Sequence, residues 1–512
     1  MRLTPEPLLP AEVLAVARAG ERVEVDAAVA ERMRPARAVV EAAVASEDVV
    51  YGVTTGFGAL AETVVPRAEA AALQHALVRS HAAGVGAPVD DEVVRAMTLL
   101  RARTLAAGYC GARPAVVEAL VALLNAGVRV VVPEHGSLGA SGDLAPMAHV
   151  ALALTGEGWV VGDAGRPVAA GPQLAAAGLE PLRLDVKDGL ALLNATEGML
   201  AHLVLALADL AVLADTADVV AALSVEALLA TDRPFAADLQ ALRPHPGQAR
   251  SAANLRALLA GSPILASHRH SRHAVQDAYS LRCAPQVHGA ARDTLEWAGT
   301  VRDRELEASV DNPVVFAGAH GVPGRVESTG NFHGEPLGFA LDLLAIGAAE
   351  LGAISERRTD RLLDPARSHG LPPFLAPEAG INSGFMLAQY TAASLVAENR
   401  RLAVPASTDS VPTSGMQEDH VSLGWSAGCK LRRSVANCAR ILAVEALCAA
   451  AGVEQRCAKT PGLEPGRRTA AVIARLREDV PAMPRDRFLA PDLAAAEHLV
   501  RSGALAQAAG LG

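Results

Sequence analysis

Gly136-Ser137-Leu138-Gly139-Ala140-Ser141-Gly142-Asp143-Leu144-Ala145-Pro146 is the stretch from which the rest of the chain is read. Before it, Val128-Arg129-Val130-Val131-Val132-Pro133 predicts a short strand. After it, Asp143 predicts the cap of a helix from Leu144 to about Thr155. The glycines at 136, 139 and 142 open backbone conformations closed to other residues. A Gly-rich turn ending in a helix cap is the plain reading. A serine-hydrolase elbow fails because Asp143, not glycine, stands two residues after Ser141. A P-loop fails because the stretch has no lysine. One further chemistry fits. Attack of the Gly142 amide nitrogen on the Ala140 carbonyl closes a five-membered ring around Ser141. Loss of water there, and again from the Ser141 side chain, leaves an exocyclic methylidene, an electrophile that ordinary side chains do not provide.

The bulk of the chain bounds what surrounds this loop. At 512 residues it can bury a large core, and its length corresponds to two or three domains. Hydrophobic residues make up 51% and charged ones 20%, a globular balance. Alanine and leucine dominate while aromatics are only 3%, which favours helices over sheets. With a net charge of −10 and no basic run, nothing marks a nucleic-acid partner. The six cysteines are scattered without Cys-x-x-Cys and read as reduced thiols of a cytosolic protein. No signal peptide opens the chain, and Glu226 interrupts its most apolar stretch, so no membrane is expected.

Taken in order, helices are expected at 11–19, 26–45, 66–79, 90–107 and 114–125, with a small hairpin at 159–168. Between the second and third lies Tyr51-Gly52-Val53-Thr54-Thr55-Gly56-Phe57-Gly58, a Gly-rich loop carrying one phenol. The third ends at Arg79-Ser80-His81. Leu190-Leu193 and Asn194-Ala195-Thr196-Glu197 precede a helix from Met199 to Ala230 that is apolar on nearly all sides and therefore buried. His268, His270 and His273 alternate with arginines and read as a solvated loop, so no metal site is expected.

Gln276-Asp277-Ala278-Tyr279-Ser280-Leu281-Arg282 places an amide, a phenol and a guanidinium at helical spacing, and the arginine fork suits a carboxylate. A helix at 286–309 stops at Asp311-Asn312-Pro313, and a hairpin pairs 314–316 with 324–326. Gly330-Asn331-Phe332-His333 follows, then helices at 335–358 and 381–403. Pro412 to Ser422, including Gln417-Glu418-Asp419, is expected to open a long helix to about Cys457, and residues 460–512 form a tail of short helices.

These motifs together resemble the aromatic amino acid ammonia-lyase family, whose members build 4-methylideneimidazol-5-one (MIO) from Ala-Ser-Gly. The resemblance runs from about Val49 past Glu418. The pair Ser80-His81 and the acid at Glu418 resemble its histidine-acting branch. It implies a mainly α fold, a long-helix bundle with small β-hairpins around the prosthetic-group loop. Three regions are expected within one family unit: 1–195 with the tyrosine and MIO loops, 196–460 as the central long-helix bundle, and 461–512 as the tail.

The implied activity is non-oxidative deamination of L-histidine to trans-urocanate and ammonia, the first step of histidine degradation, with no external cofactor. A related lyase or 2,3-aminomutase acting on another aromatic amino acid, or a non-catalytic helical assembly protein, is the alternative. In this reading Ala140, Ser141 and Gly142 form the MIO and Tyr51 takes the β-proton. Arg282 binds the α-carboxylate, with Gln276, Tyr279 and Asn194 contacting the MIO and substrate. Phe332 lines the substrate, and His81 and Glu418 hold the imidazole. Ala195 and Glu197 depart from the family's usual glycine and glutamine. A cytoplasmic homotetramer with active sites shared between subunits is implied.

Overall fold

Helix dominates, as an alanine- and leucine-rich, aromatic-poor chain requires. The computed structural model describes residues 1–46, 49–56, 63, 65–140, 142–271, 273–318 and 321–511. Its helices in chain order are α1 (Pro10–Ala19), α2 (Ala27–Ser46), α3 (Ala70–His81), α4 (Asp91–Ala106), α5 (Pro114–Asn125), α6 (Leu144–Leu154), α7 (Ala170–Ala176), α8 (Asp188–Leu193), α9 (Glu197–Ala227), α10 (Ala237–Ala241), α11 (Pro246–Leu259), α12 (Pro263–Ser267), α13 (Tyr279–Arg282), α14 (Ala284–Glu307), α15 (Glu335–Leu363), α16 (Met386–Leu402), α17 (Gly424–Lys459), α18 (Arg467–Asp479), α19 (Ala490–Arg501) and α20 (Ala504–Ala508). The strands are short: β1 (Arg2–Leu3), β2 (Glu24–Val25), β3 (Val85–Pro88), β4 (Pro133–His135), β5 (Trp159–Val161), β6 (Pro167–Ala169), β7 (Val314–Phe316) and β8 (Arg325–Glu327). They pair as β1–β2, parallel, and β3–β4, β5–β6 and β7–β8, antiparallel.

Two expectations are corrected. The apolar run Val128–Pro133, buried only at Val130–Val132, forms no full strand: it bridges at Val130 to Val160 with two backbone hydrogen bonds to β5, and the strand proper, β4, starts at Pro133. Residues 412–422 do not open a helix. Ser414, Gly415 and Met416 all take positive φ, which no right-handed helix accepts, so α17 starts at Gly424.

The described chain divides into two compact units. One comprises Met1–Leu205, Gly299–Asp342 and Pro405–Cys429. In it α4 packs on α1 and α5, while α3, α6 and α8 pack on one another beside the hairpins. The other comprises Ala206–Ala298, Leu343–Val404 and Lys430–Gly512. In it α10 packs on α11, and α18 packs on α11, α19 and α20.

Helix α9 is buried nearly all round, as its sequence predicts: of its 31 residues only Ala211 is exposed. Its polar residues in the second unit are matched across the core. Asp218 meets His288 and Arg292, Ser224 meets Glu445, and Glu226 meets Ser262. Helices α15 and α17 are long and apolar enough to cross a membrane by length and composition, yet 67% and 83% of their most apolar windows are buried in protein.

Candidate active site

The loop from Gly136 to Asp143 is a tight turn built against the residues that follow α8. Gly139 and Ala140 both bridge to Gly142, and Gly142 bridges to Ala195. Gly142 sits at φ 74°, and a Cβ there would lie 1.9 Å from the Ala195 carbonyl oxygen. Only glycine fits. The Asp143 amide donates to the same carbonyl at 2.5 Å, and the Leu423 amide donates to Leu138 O at 2.9 Å. Ser141 lies outside the described residues.

Asp143 does not cap α6 with its side chain. Its carboxylate reaches instead to the start of α9, accepting from the Met199 amide at 2.9 Å, and it also accepts from Ser137 Oγ at 3.4 Å. Complete burial, reinforced by the charge of Glu197, pushes the Asp143 carboxyl up to about 7, against the pull of these hydrogen bonds.

Asn194 ends α8. Its Nδ2 donates to the Asn312 carbonyl, while its buried Oδ1 has no hydrogen-bond partner among the described residues. The short helix beneath it is held by buried charge. Lys187 at its start pairs with Asp311 at 2.6 Å, both essentially inaccessible. Asp311 accepts from the Asn312 amide at 2.8 Å, and Asn312 Oδ1 accepts from Ser328 Oγ and the Thr329 amide. Arg101 of α4, wholly buried, donates to Ala191 O at 2.7 Å, Val310 O at 3.0 Å and Glu197 Oε1 at 2.9 Å. Glu197, one of the two departures from the usual pattern, is therefore the counter-charge of a buried arginine. Ala195, the other, supplies the carbonyl against which Gly142 is packed.

Replacing Arg101 with methionine leaves Glu197 buried and unpaired, and is expected to cost about 3–5 kcal/mol in stability. Urea unfolding checks this. A loss below about 1 kcal/mol would show that the pair does not hold the site.

Tyr51 is half-buried at the end of the α2 connection and lines a cavity of about 700 Å³ with Val39, Pro313, Val326 and Ser328. Its neighbour Gly52 takes φ 68°, where a Cβ would stand 2.7 Å from Leu190 and 3.0 Å from Pro313. The tyrosine turn and Asn194 thus both meet the Asn312–Pro313 segment. Phe57 and Gly58 of this loop lie outside the described residues.

His81 closes α3. Its Nδ1 faces the Leu77 carbonyl at 2.9 Å, so the proton sits there and Nε2 carries the lone pair. Burial lowers its pKa, against the opposing pull of that carbonyl.

Phe332 is half-buried in the turn before α15. Glu418 pairs through its backbone with Thr413, and its buried Oε2 has no partner among the described residues. The two segments meet through His333 and His420, whose rings stack at 5.4 Å with Nε2 and Nδ1 3.3 Å apart. Glu335 lies beside them, 3.8 Å from His333 Nδ1. This ligand-type cluster, gathered within 4.8 Å, escaped the sequence reading because 87 residues separate its histidines.

Gln276, Tyr279 and Arg282 belong to the second unit. Tyr279 and Arg282 are both on α13, with the guanidinium carbon 4.6 Å from the Tyr279 ring centre. Gln276 lies in the exposed bend before it, and Tyr279 is 72% exposed. Arg282 Nε and Gln286 Oε1, both buried, have no partner among the described residues. Of the histidine run, His268 and His273 turn ring nitrogens onto the carbonyls of Ile264, Ala230 and Leu229, and His270 is exposed.

The arrangement fits a backbone-derived electrophile. The turn at Ala140–Gly142 tolerates no side chain at Gly142, and Asn194 holds an unused acceptor at the end of the adjoining helix. Relatives have the same architecture. The histidine ammonia-lyase of Streptomyces griseus is 56% identical over 498 residues, covering 97% of this chain and 96% of its own. The crystal structure of histidine ammonia-lyase from Trypanosoma cruzi superposes with a TM-score of 0.89 at 39% identity, covering 100% of this chain and 95% of that one. Tyrosine aminomutase from Streptomyces globisporus gives 0.90 at 38%, covering 99% and 98%. The model of the aromatic amino acid lyase family matches residues 8–478, and with these likenesses along the whole chain it makes the protein a member of that family.

Proposed function

We propose that the chain is a carbon–nitrogen lyase that removes ammonia from L-histidine without oxidation, giving trans-urocanate. The observation that carries this is the 56% identity to a histidine ammonia-lyase over 97% of the chain, supported by a turn at Gly142 that admits no side chain beside Ala195. A carboxylate pairs with the imidazole ring of such a substrate, a guanidinium with its α-carboxylate, and an amide oxygen with its amine.

The MIO ring, formed from Ala140-Ser141-Gly142, supplies the electrophile that turns the substrate amine into a better leaving group. The chain's own side chains do the rest. Arg282 fixes the carboxylate, with Tyr279 stacked on it and Gln276 beside that segment. Glu418 accepts from the imidazole, His81 offers its Nε2 lone pair, and Phe332 packs along the substrate. Tyr51 removes the β-proton, a step for which the substrate carbon is not acidic by itself. The assembly is a cytoplasmic homotetramer with active sites shared between subunits. The likeness to a tyrosine aminomutase shows that the same fold also serves enzymes named for another outcome, so substrate identity rests on the pocket.

Purified protein given L-histidine, L-tyrosine and L-phenylalanine separately tests this by ultraviolet absorbance, since each conjugated acrylate product absorbs where its parent does not. Product from histidine alone is expected. Product from tyrosine or phenylalanine instead would overturn the assignments of His81 and Glu418.

A further inference from the structure

In the second unit the short helix α13 carries Tyr279 and Arg282, and little within the helix itself fixes it: four residues make barely one turn. Its anchor comes from the core. Arg358 of α15 is wholly buried and donates from Nη1 to the Ser280 carbonyl at 3.2 Å. The rest of its guanidinium forks onto Glu445 of α17, also wholly buried, at 2.5 and 2.8 Å. Glu445 is oriented in turn by Ser224 of α9, whose hydroxyl donates to it at 2.7 Å. Three long helices thus converge on one backbone oxygen, and that oxygen lies between Tyr279 and Arg282.

We propose that the Arg358–Glu445 pair is a positioning device for substrate-carboxylate binding, aiming the Arg282 guanidinium through the Ser280 carbonyl. This rests on the reading of Arg282 given above. A buried ion pair is weak evidence of stabilisation, since well-packed apolar residues of similar volume often serve the core as well or better. Here, however, the arginine spends one of its donors outside the pair, on the segment that bears the carboxylate-binding residue. Arginine suits this because its planar fork serves two acceptors in fixed directions, whereas lysine offers a point charge.

The test uses full-length Arg358→Lys and the double variant Arg358→Met/Glu445→Met, which removes both charges together and leaves Ser224 free to bond within its own helix. Each is measured with L-histidine and with two inhibitors. Imidazolepropionate keeps the carboxylate, and histamine lacks it. KM for histidine and Ki for imidazolepropionate are expected to rise about tenfold to hundredfold in the double variant, the range given by misaiming one charge-assisted hydrogen bond. Arg358→Lys is expected to fall between it and wild type. The Ki for histamine should stay within about twofold in both, with thermal midpoint and the loss of two waters in the intact mass retained. Unchanged constants in both variants would overturn the proposal. So would equal weakening of both inhibitors alongside a lowered thermal midpoint, which marks a structural role. Wild-type protein inactive on histidine overturns the substrate reading itself, and this inference with it.

Discussion

Changing Ser141 to alanine is expected to leave a folded chain that is inactive, with kcat lowered by about 10³-fold or more, equivalent to about 4 kcal/mol of barrier. The reason is atom balance. Closing the ring between the Gly142 nitrogen and the Ala140 carbonyl expels one water. The methylidene appears only when the central side chain loses a hydroxyl as the second. Alanine has none to lose, so the variant can shed at most one water. The backbone on either side has ties of its own. Gly139, Ala140 and Gly142 are bridged through the backbone, Gly142 is packed on the Ala195 carbonyl, and Asp143 is tied to Met199. Intact mass and activity read the two halves separately. Wild type should weigh two waters less than its sequence. A wild type at full mass, or an alanine variant that keeps its activity, would remove the electrophile from the account.

Much of this site could be read in the chain, and what could not follows a pattern. Periodicity and caps placed most of the longer helices but not α7 or α10 to α12, and the all-round apolarity of α9 marked it as core. Local motifs singled out Tyr51, the Ala140–Gly142 turn, Asn194, Tyr279 with Arg282, and Glu418 as candidates. The frame behind them was not legible, because its partners are distant in sequence. Arg101 and Glu197 lie 96 residues apart, Arg358 and Glu445 87, and Lys187 and Asp311 124. An arginine inside an otherwise buried helix was the one available hint, since such a charge is seldom buried unpaired. Asp143 shows the same limit at shorter range. Its position before a helix predicts a local cap, but the carboxylate bonds to an amide 56 residues on. Residues 412–422 misled differently. Polar residues before an apolar run look like a helix start, yet three successive positive-φ residues hold them in a turn ahead of α17.

Tyr51→Phe carries the other large effect and separates chemistry from assembly. Deleting one phenolic oxygen keeps an aromatic ring on the cavity wall that Tyr51 shares with Val39, Pro313 and Val326. The substitution leaves Gly52 untouched, where a positive φ and the nearness of Leu190 and Pro313 leave no room for a side chain. If Tyr51 takes the β-proton, kcat is expected to fall about 10²–10⁴-fold, the usual worth of a positioned general base. KM should change little, because the proposed reading puts carboxylate and imidazole recognition on Arg282, Glu418 and His81. The intact mass should still lack two waters, since no ring atom comes from Tyr51. Histidine labelled at the β-carbon gives a second readout. Wild type should pass one β-hydrogen to solvent, by exchange or as product forms, and the phenylalanine variant should not do so at a measurable rate. A variant with kcat within about threefold of wild type would move the base elsewhere, and Tyr279, the phenol stacked on Arg282, would be the next residue to change. A variant that had lost the mass signature would instead place Tyr51 in ring formation, with the proton step still to be assigned.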